Sequence, residues 1–76
     1  MTIKAYVLIE AQVGKTKQVV EAIRNIQGVL SVNLVTGPYD AIAVIETETV
    51  NNFEDLVVGK LHLLTGISRT VTCIVI

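Results

Sequence analysis

The chain has one cysteine, Cys73, one histidine, His62, and one proline, Pro38. A lone cysteine rules out an intrachain disulfide. One histidine without Cys/His spacing leaves no structural zinc motif, so no metal is expected. Tryptophan is absent, and Tyr6, Tyr39 and Phe53 are the only aromatic residues. There is no basic excess either: 6 Lys and Arg stand against 7 Asp and Glu, a net charge of −1. Nucleic-acid binders draw most of their affinity from neutralising phosphates, and Lys15 with Lys17 is the nearest approach to a basic cluster. Direct nucleic-acid binding is therefore not expected. No apolar run approaches the roughly 18 residues of a membrane span, and Met1-Thr2-Ile3-Lys4 does not open a signal peptide. The expectation is a cytoplasmic protein with no membrane contact.

What is abundant is aliphatic. Hydrophobic residues make up 51% of the 76 positions, mostly Val, Ile, Leu and Ala. A chain of this length holds one domain, over residues 1–76. Such a domain buries only about 60% of its unfolded surface, so its core alone is marginal. With disulfides and metals removed from consideration, oligomerisation is the remaining support.

Period-two alternation from Ile3 to Ala11 predicts a strand, with Ile3, Ala5, Val7, Ile9 and Ala11 on one face. Lys4, Tyr6, Leu8 and Glu10 take the other. From Thr16 to Gln27, apolar Val19, Val20, Ala22, Ile23 and Ile26 oppose a polar side, which predicts an amphipathic helix stopped at Gly28. Val29 to Thr36 and Ala41 to Thr47 read as a hairpin around Gly37-Pro38-Tyr39-Asp40. A second helix is capped by Thr49 or Asn51, the latter spaced from Glu54 as in a capping box. Its stripe is Phe53, Leu56, Val57, Leu61 and Leu64, interrupted by Gly59. Ile67 to Ile76 forms a last strand.

The order β-α-β-β-α-β with right-handed crossovers predicts an α+β, ferredoxin-like fold: a four-stranded antiparallel sheet with two helices on one face. The other face then carries Tyr6, Leu8, Val35, Ile42, Val44, Ile74 and Ile76. An apolar patch of that extent exceeds what monomers expose, and each large side chain buried fully is worth about 1.5–3 kcal/mol. Sheet-on-sheet dimerisation is expected, as in a dimeric α/β barrel.

Few residues offer chemistry. Gly14-Lys15-Thr16 lacks the glycine that a phosphate-binding loop needs five positions earlier, where Ile9 stands, so it reads as a strand-to-helix turn. Cys73, among Val71 and Val75, reads as a buried structural thiol, and His62 as a surface residue. Small α/β barrels of this strand order include monooxygenases, but His62 and Tyr6 make no acid/base set, so the expectation is no enzyme. The turn Thr36-Gly37-Pro38-Tyr39-Asp40 admits two readings. It is an ordinary hairpin turn, or it is an amino-acid site in which Tyr39 stacks, Asp40 pairs with an ammonium and main-chain groups near Gly37 hold a carboxylate.

The element order, the Gly-x-Tyr-Asp turn, and the final Gly66-Ile67-Ser68-Arg69-Thr70-Val71-Thr72-Cys73-Ile74-Val75-Ile76 resemble the effector-binding (RAM) domain of the Lrp/AsnC feast/famine transcriptional regulators. The resemblance covers essentially the whole chain. It implies a sheet-mediated dimer, octameric or decameric rings, and an amino-acid effector bound between dimers at Gly37, Pro38, Tyr39 and Asp40, with Thr36, Thr70 and Thr72 as neighbours. No cofactor is implied. Full-length relatives carry an N-terminal helix-turn-helix domain; this chain begins almost at its first strand and resembles the domain standing alone. Regulation of transcription would then be indirect, for example through a ring shared with a full-length relative. The alternatives are a purely structural oligomerisation partner, or an ACT-type domain binding its amino acid near the first strand-to-helix turn.

Overall fold

A computed structural model describes residues 2–76. Strand β1 (Ile3–Ala11) leads to helix α1 (Thr16–Arg24), then to the hairpin β2 (Val29–Leu34) and β3 (Ala41–Thr47). Helix α2 (Val50–Leu56) runs on into a wider π-helical turn, Val57–Leu61, and β4 (Ile67–Ile74) ends the fold. The four strands pair antiparallel in the order β2-β3-β1-β4. This is the ferredoxin-like arrangement expected from the alternating and helical periods. Among the described residues, no helix is long and apolar enough to cross a membrane.

The core lies between the sheet and one helical layer. Ala5, Val7 and Ile9 of β1, Val32 of β2, and Ala41, Ala43 and Ile45 of β3 pack against Val19, Val20, Ile23, Leu56, Val57 and Leu61. The central strands put small alanines on this face, so the helices settle close to the sheet. Register carries the pattern across the strands: Val7 sits opposite Ala43 and Ile9 opposite Ala41.

Several boundaries differ from the sequence expectation. Helix α1 ends at Arg24 rather than Gln27, and the chain reaches β2 through tight turns, with Val29 N–H donating to the Ile26 carbonyl at 3.2 Å. Gly28 is not the helix stop but the pivot of this connection, with φ +101°, and Leu56 leaves no room there for a β-carbon. Thr49, not Asn51, caps α2: its hydroxyl accepts the Asn52 N–H at 3.1 Å. The π turn follows, with His62 N–H reaching the Val57 carbonyl at 2.9 Å. The extra residue in that turn keeps Leu56, Val57 and Leu61 all directed inward and leaves Gly59 exposed.

Two bulges reset the sheet. Between Val29 and Ser31, β2 carries an extra residue, Leu30, which places Val29 against the core and leaves Leu30 outside. Ser68 is the extra residue in β4, since Glu10 pairs with Arg69 and Ala11 with Ile67. The facing of β4 reverses the sequence expectation. Ile74 lies opposite Ala5, on the helix side but beyond the helices, whereas Cys73 lies opposite Tyr6 on the open face. Cys73 is exposed rather than buried, because nothing within one chain covers that face. Alternation points to Val71 and Cys73 as the buried side, but pairing with β1 turns the Thr70 and Thr72 side toward the helices.

Candidate functional site

The open face has an apolar centre framed by charge. Leu8 stands opposite Ile42 and Val71, and Tyr6 opposite Val44 and Cys73. Lys4 pairs in register with Glu46 at one end, and Glu10 with Arg69 at the other. Tyr6 is 42% exposed although it is central to the sheet, so this surface is open to a partner or ligand.

At the Glu10/Arg69 end, the β2–β3 connection rises over this face. Val35 N–H donates to the Asp40 carbonyl at 3.0 Å, closing the loop. Asp40 N–H donates to the Ile9 carbonyl at 2.9 Å, and its Oδ2 accepts the Ala11 N–H at 2.9 Å. Ala11 lies at the point where the β1–β4 register shifts, and the carboxylate supplies the acceptor there. The turn is thus riveted to the central strand. Pro38 fixes one of its dihedrals, which adds stiffness.

Against the turn lies a hollow of about 480 Å³, lined by Leu8, Val35, Thr36, Gly37, Pro38, Tyr39 and Ile42. Its floor is the apolar sheet and its wall is the turn. Such a hollow, apolar with a few polar groups at the rim, suits a small amphiphilic ligand. The Tyr39 ring forms part of the lining, and the Arg69 guanidinium carbon lies 5.9 Å from its centroid, within cation–π range.

Of the residues singled out from the sequence, Thr36, Gly37, Pro38 and Tyr39 come together around the hollow. Asp40 stands beside them with one oxygen committed to Ala11. Thr70 and Thr72 do not join them within one chain. They pair with Ile9 and Val7, whose side chains are buried under the helices, and Thr70 Oγ1 lies 3.0 Å from His62 Nε2. Sequence reasoning did not single out Arg69, which lies against Tyr39, nor Leu8, Val35 and Ile42, which line the hollow. The last three were legible as open-face residues; only the hairpin's fold back over β1 makes them a floor. A second, more polar groove of about 650 Å³ lies at the opposite end of the sheet, between Gly28 and Thr47 on one side and Asn52, Asp55 and Lys60 on the other.

The model of the Lrp/AsnC ligand-binding domain matches residues 4–76. Among solved structures, TTHA0845 from Thermus thermophilus is 34% identical, with a TM-score of 0.92 over 97% of this chain and 92% of that one. The hypothetical protein PHS023 from Pyrococcus horikoshii is 28% identical, with a TM-score of 0.91 over 97% and 89% of the two chains. The transcriptional regulator NMB0573 from Neisseria meningitidis, solved as a complex with L-methionine, shares the fold at 18% identity and a TM-score of 0.86, and the match spans 97% of this chain and 49% of that one. Comparison with curated proteins yields no match.

Proposed function

Because the chain belongs to the Lrp/AsnC ligand-binding domain family, we propose that it is a non-enzymatic sensor of an amino-acid effector, acting on transcription through assembly with other subunits. The observation that carries this reading is the hollow in which Gly37, Pro38 and Tyr39 overhang an apolar floor of Leu8, Val35 and Ile42. The free oxygen of Asp40 suits an ammonium, and Tyr39 and the floor suit an aliphatic side chain. The site is open on the side that faces away from the sheet. A neighbouring dimer packed against this end of the face closes it and supplies the groups that one chain lacks.

The same face argues for the assembly. Its centre is aliphatic and its charges sit at the two ends with opposite signs in register, Lys4 with Glu46 and Glu10 with Arg69. A second copy turned half a revolution presents apolar surface to apolar surface. Dimers of this kind, closing into rings, place the effector between subunits. A ring shared with a DNA-binding relative connects the effector to gene control.

Thermal-shift measurement against the twenty L-amino acids tests the reading, with L-methionine as the first probe, since a regulator of this fold holds it. A ligand present at a hundred times its Kd stabilises by about 2.7 kcal/mol. At least one amino acid should raise the melting temperature of the wild type and fail to do so for Tyr39→Ala. If none acts on a confirmed oligomer, sensing is excluded and a purely structural assembly module remains.

A further inference from the structure

Resting on that effector reading, we propose that Arg69 is the residue that selects an effector by its carboxylate. Arg69 opens the regular part of β4 and lies opposite Glu10, on the open face. The Ser68 bulge preserves that facing: it turns Ile67 to the core while Arg69 stays outward, beside Tyr39 of the hollow's lining. There its guanidinium lies over the Tyr39 ring at 5.9 Å. A guanidinium engaged with a ring through its charge keeps its N–H donors available, and their fork geometry matches a carboxylate.

Those donors are unspent. Among the described residues Arg69 makes no hydrogen bond or ion pair, even with Glu10 across the ladder. The other arginine, Arg24, is occupied: it bonds Glu21 at 2.7 Å and the Val32 carbonyl at 3.4 Å. No lysine lines the hollow: Lys4 is at the far end of β1, and Lys15, Lys17 and Lys60 lie in the helical layer and its approach. Of the turn's own donors, the Asp40 and Val35 N–H groups are already bonded within the protein. A carboxylate entering between Tyr39 and the sheet meets one cationic group. That group is Arg69.

The test compares Arg69→Gln and Arg69→Lys with the wild type by calorimetric titration. The probes are the L-amino acid that gives the largest shift in the twenty-member screen and its α-carboxamide. Losing a charge-assisted bond should weaken the amino acid about tenfold to a hundredfold in Arg69→Gln, with Arg69→Lys between. The carboxamide should bind wild type and Arg69→Gln about equally, which a merely structural loss would not produce. Sedimentation of each variant controls for assembly, so that an affinity change at unchanged mass reports on the effector contact itself. Unchanged amino-acid affinity in Arg69→Gln, or equal loss for both probes, overturns the assignment of Arg69 while leaving the effector reading intact. If the wild type binds none of the twenty, both fall together.

Discussion

Asp40 holds Ala11 across the sheet: its Oδ2 accepts the Ala11 N–H at 2.9 Å, and its own N–H reaches the carbonyl of Ile9 at 2.9 Å. One side chain thus serves as both the anchor of the turn and an edge of the hollow. Asp40→Ala orphans the Ala11 N–H and should lower stability by about 1–3 kcal/mol in urea unfolding. Asp40→Asn keeps an oxygen acceptor and removes the charge. It should fold nearly as well as the wild type and lose effector affinity, separating the two duties.

The open face predicts its own disruption. Val44 lies opposite Tyr6 and outside the lining of the hollow, so Val44→Lys places a charge in the apolar centre and leaves the site's walls untouched. Sedimentation should show a lone subunit in place of the assembly. Cys73 offers a second readout, because it is exposed on the same face of a single chain. Its thiol should react slowly with a chromogenic disulfide in the wild type and quickly in Val44→Lys. Equal reactivity in both would mean that the face is uncovered in the native protein.

Two glycines should respond in opposite directions to the same substitution. Gly28→Ala places a β-carbon 2.6 Å from Leu56 Cδ1 at a φ of +101° and should cost about 1–3 kcal/mol. Gly59→Ala meets nothing within 4 Å and lies in the exposed π-helical turn. It should stabilise by about 0.5–1 kcal/mol, through a less free unfolded chain. Thermal unfolding of the two variants checks both signs.

Thr49→Ala removes the only side-chain cap of α2, which accepts the Asn52 N–H at 3.1 Å. The expected loss is about 1 kcal/mol. Asn51→Ala should be close to neutral, since Asn51 is exposed in the first turn and caps nothing. A larger effect at Asn51 than at Thr49 would contradict the observed helix start.

Much of the architecture was legible because its residues repeat at one period. Ala5, Val7 and Ile9 alternate cleanly with Lys4, Tyr6 and Leu8, and both the strand and its buried face follow. β4 misled: Val71 and Cys73 are the more apolar side and read as buried, yet they face outward, and Thr70 and Thr72 face the helices. Which side faced inward depended on pairing with β1, a long-range fact. The bulges at Leu30 and Ser68 are likewise tertiary, since nothing local distinguishes an extra residue from a paired one. At the site, Gly37, Pro38, Tyr39 and Asp40 announce a turn by composition alone. That the turn folds back over Leu8 and meets Arg69, thirty residues on from Tyr39, requires the strand order. Asp40 illustrates the remaining gap. Its charge suggested a ligand contact, whereas the backbone of Ala11 had first claim on it.

The extra residue at Leu30 also bears on how far association can proceed. β2 is an outer strand, and a straight, evenly spaced border would invite another chain to add itself edgewise, copy after copy. The kink breaks that border into short stretches whose twist no regular newcomer can match along its length. Edgewise growth at β2 is thereby discouraged, which leaves the flat of the sheet as the apolar surface open to a partner. An outer strand of this kind favours particles of finite number over threads.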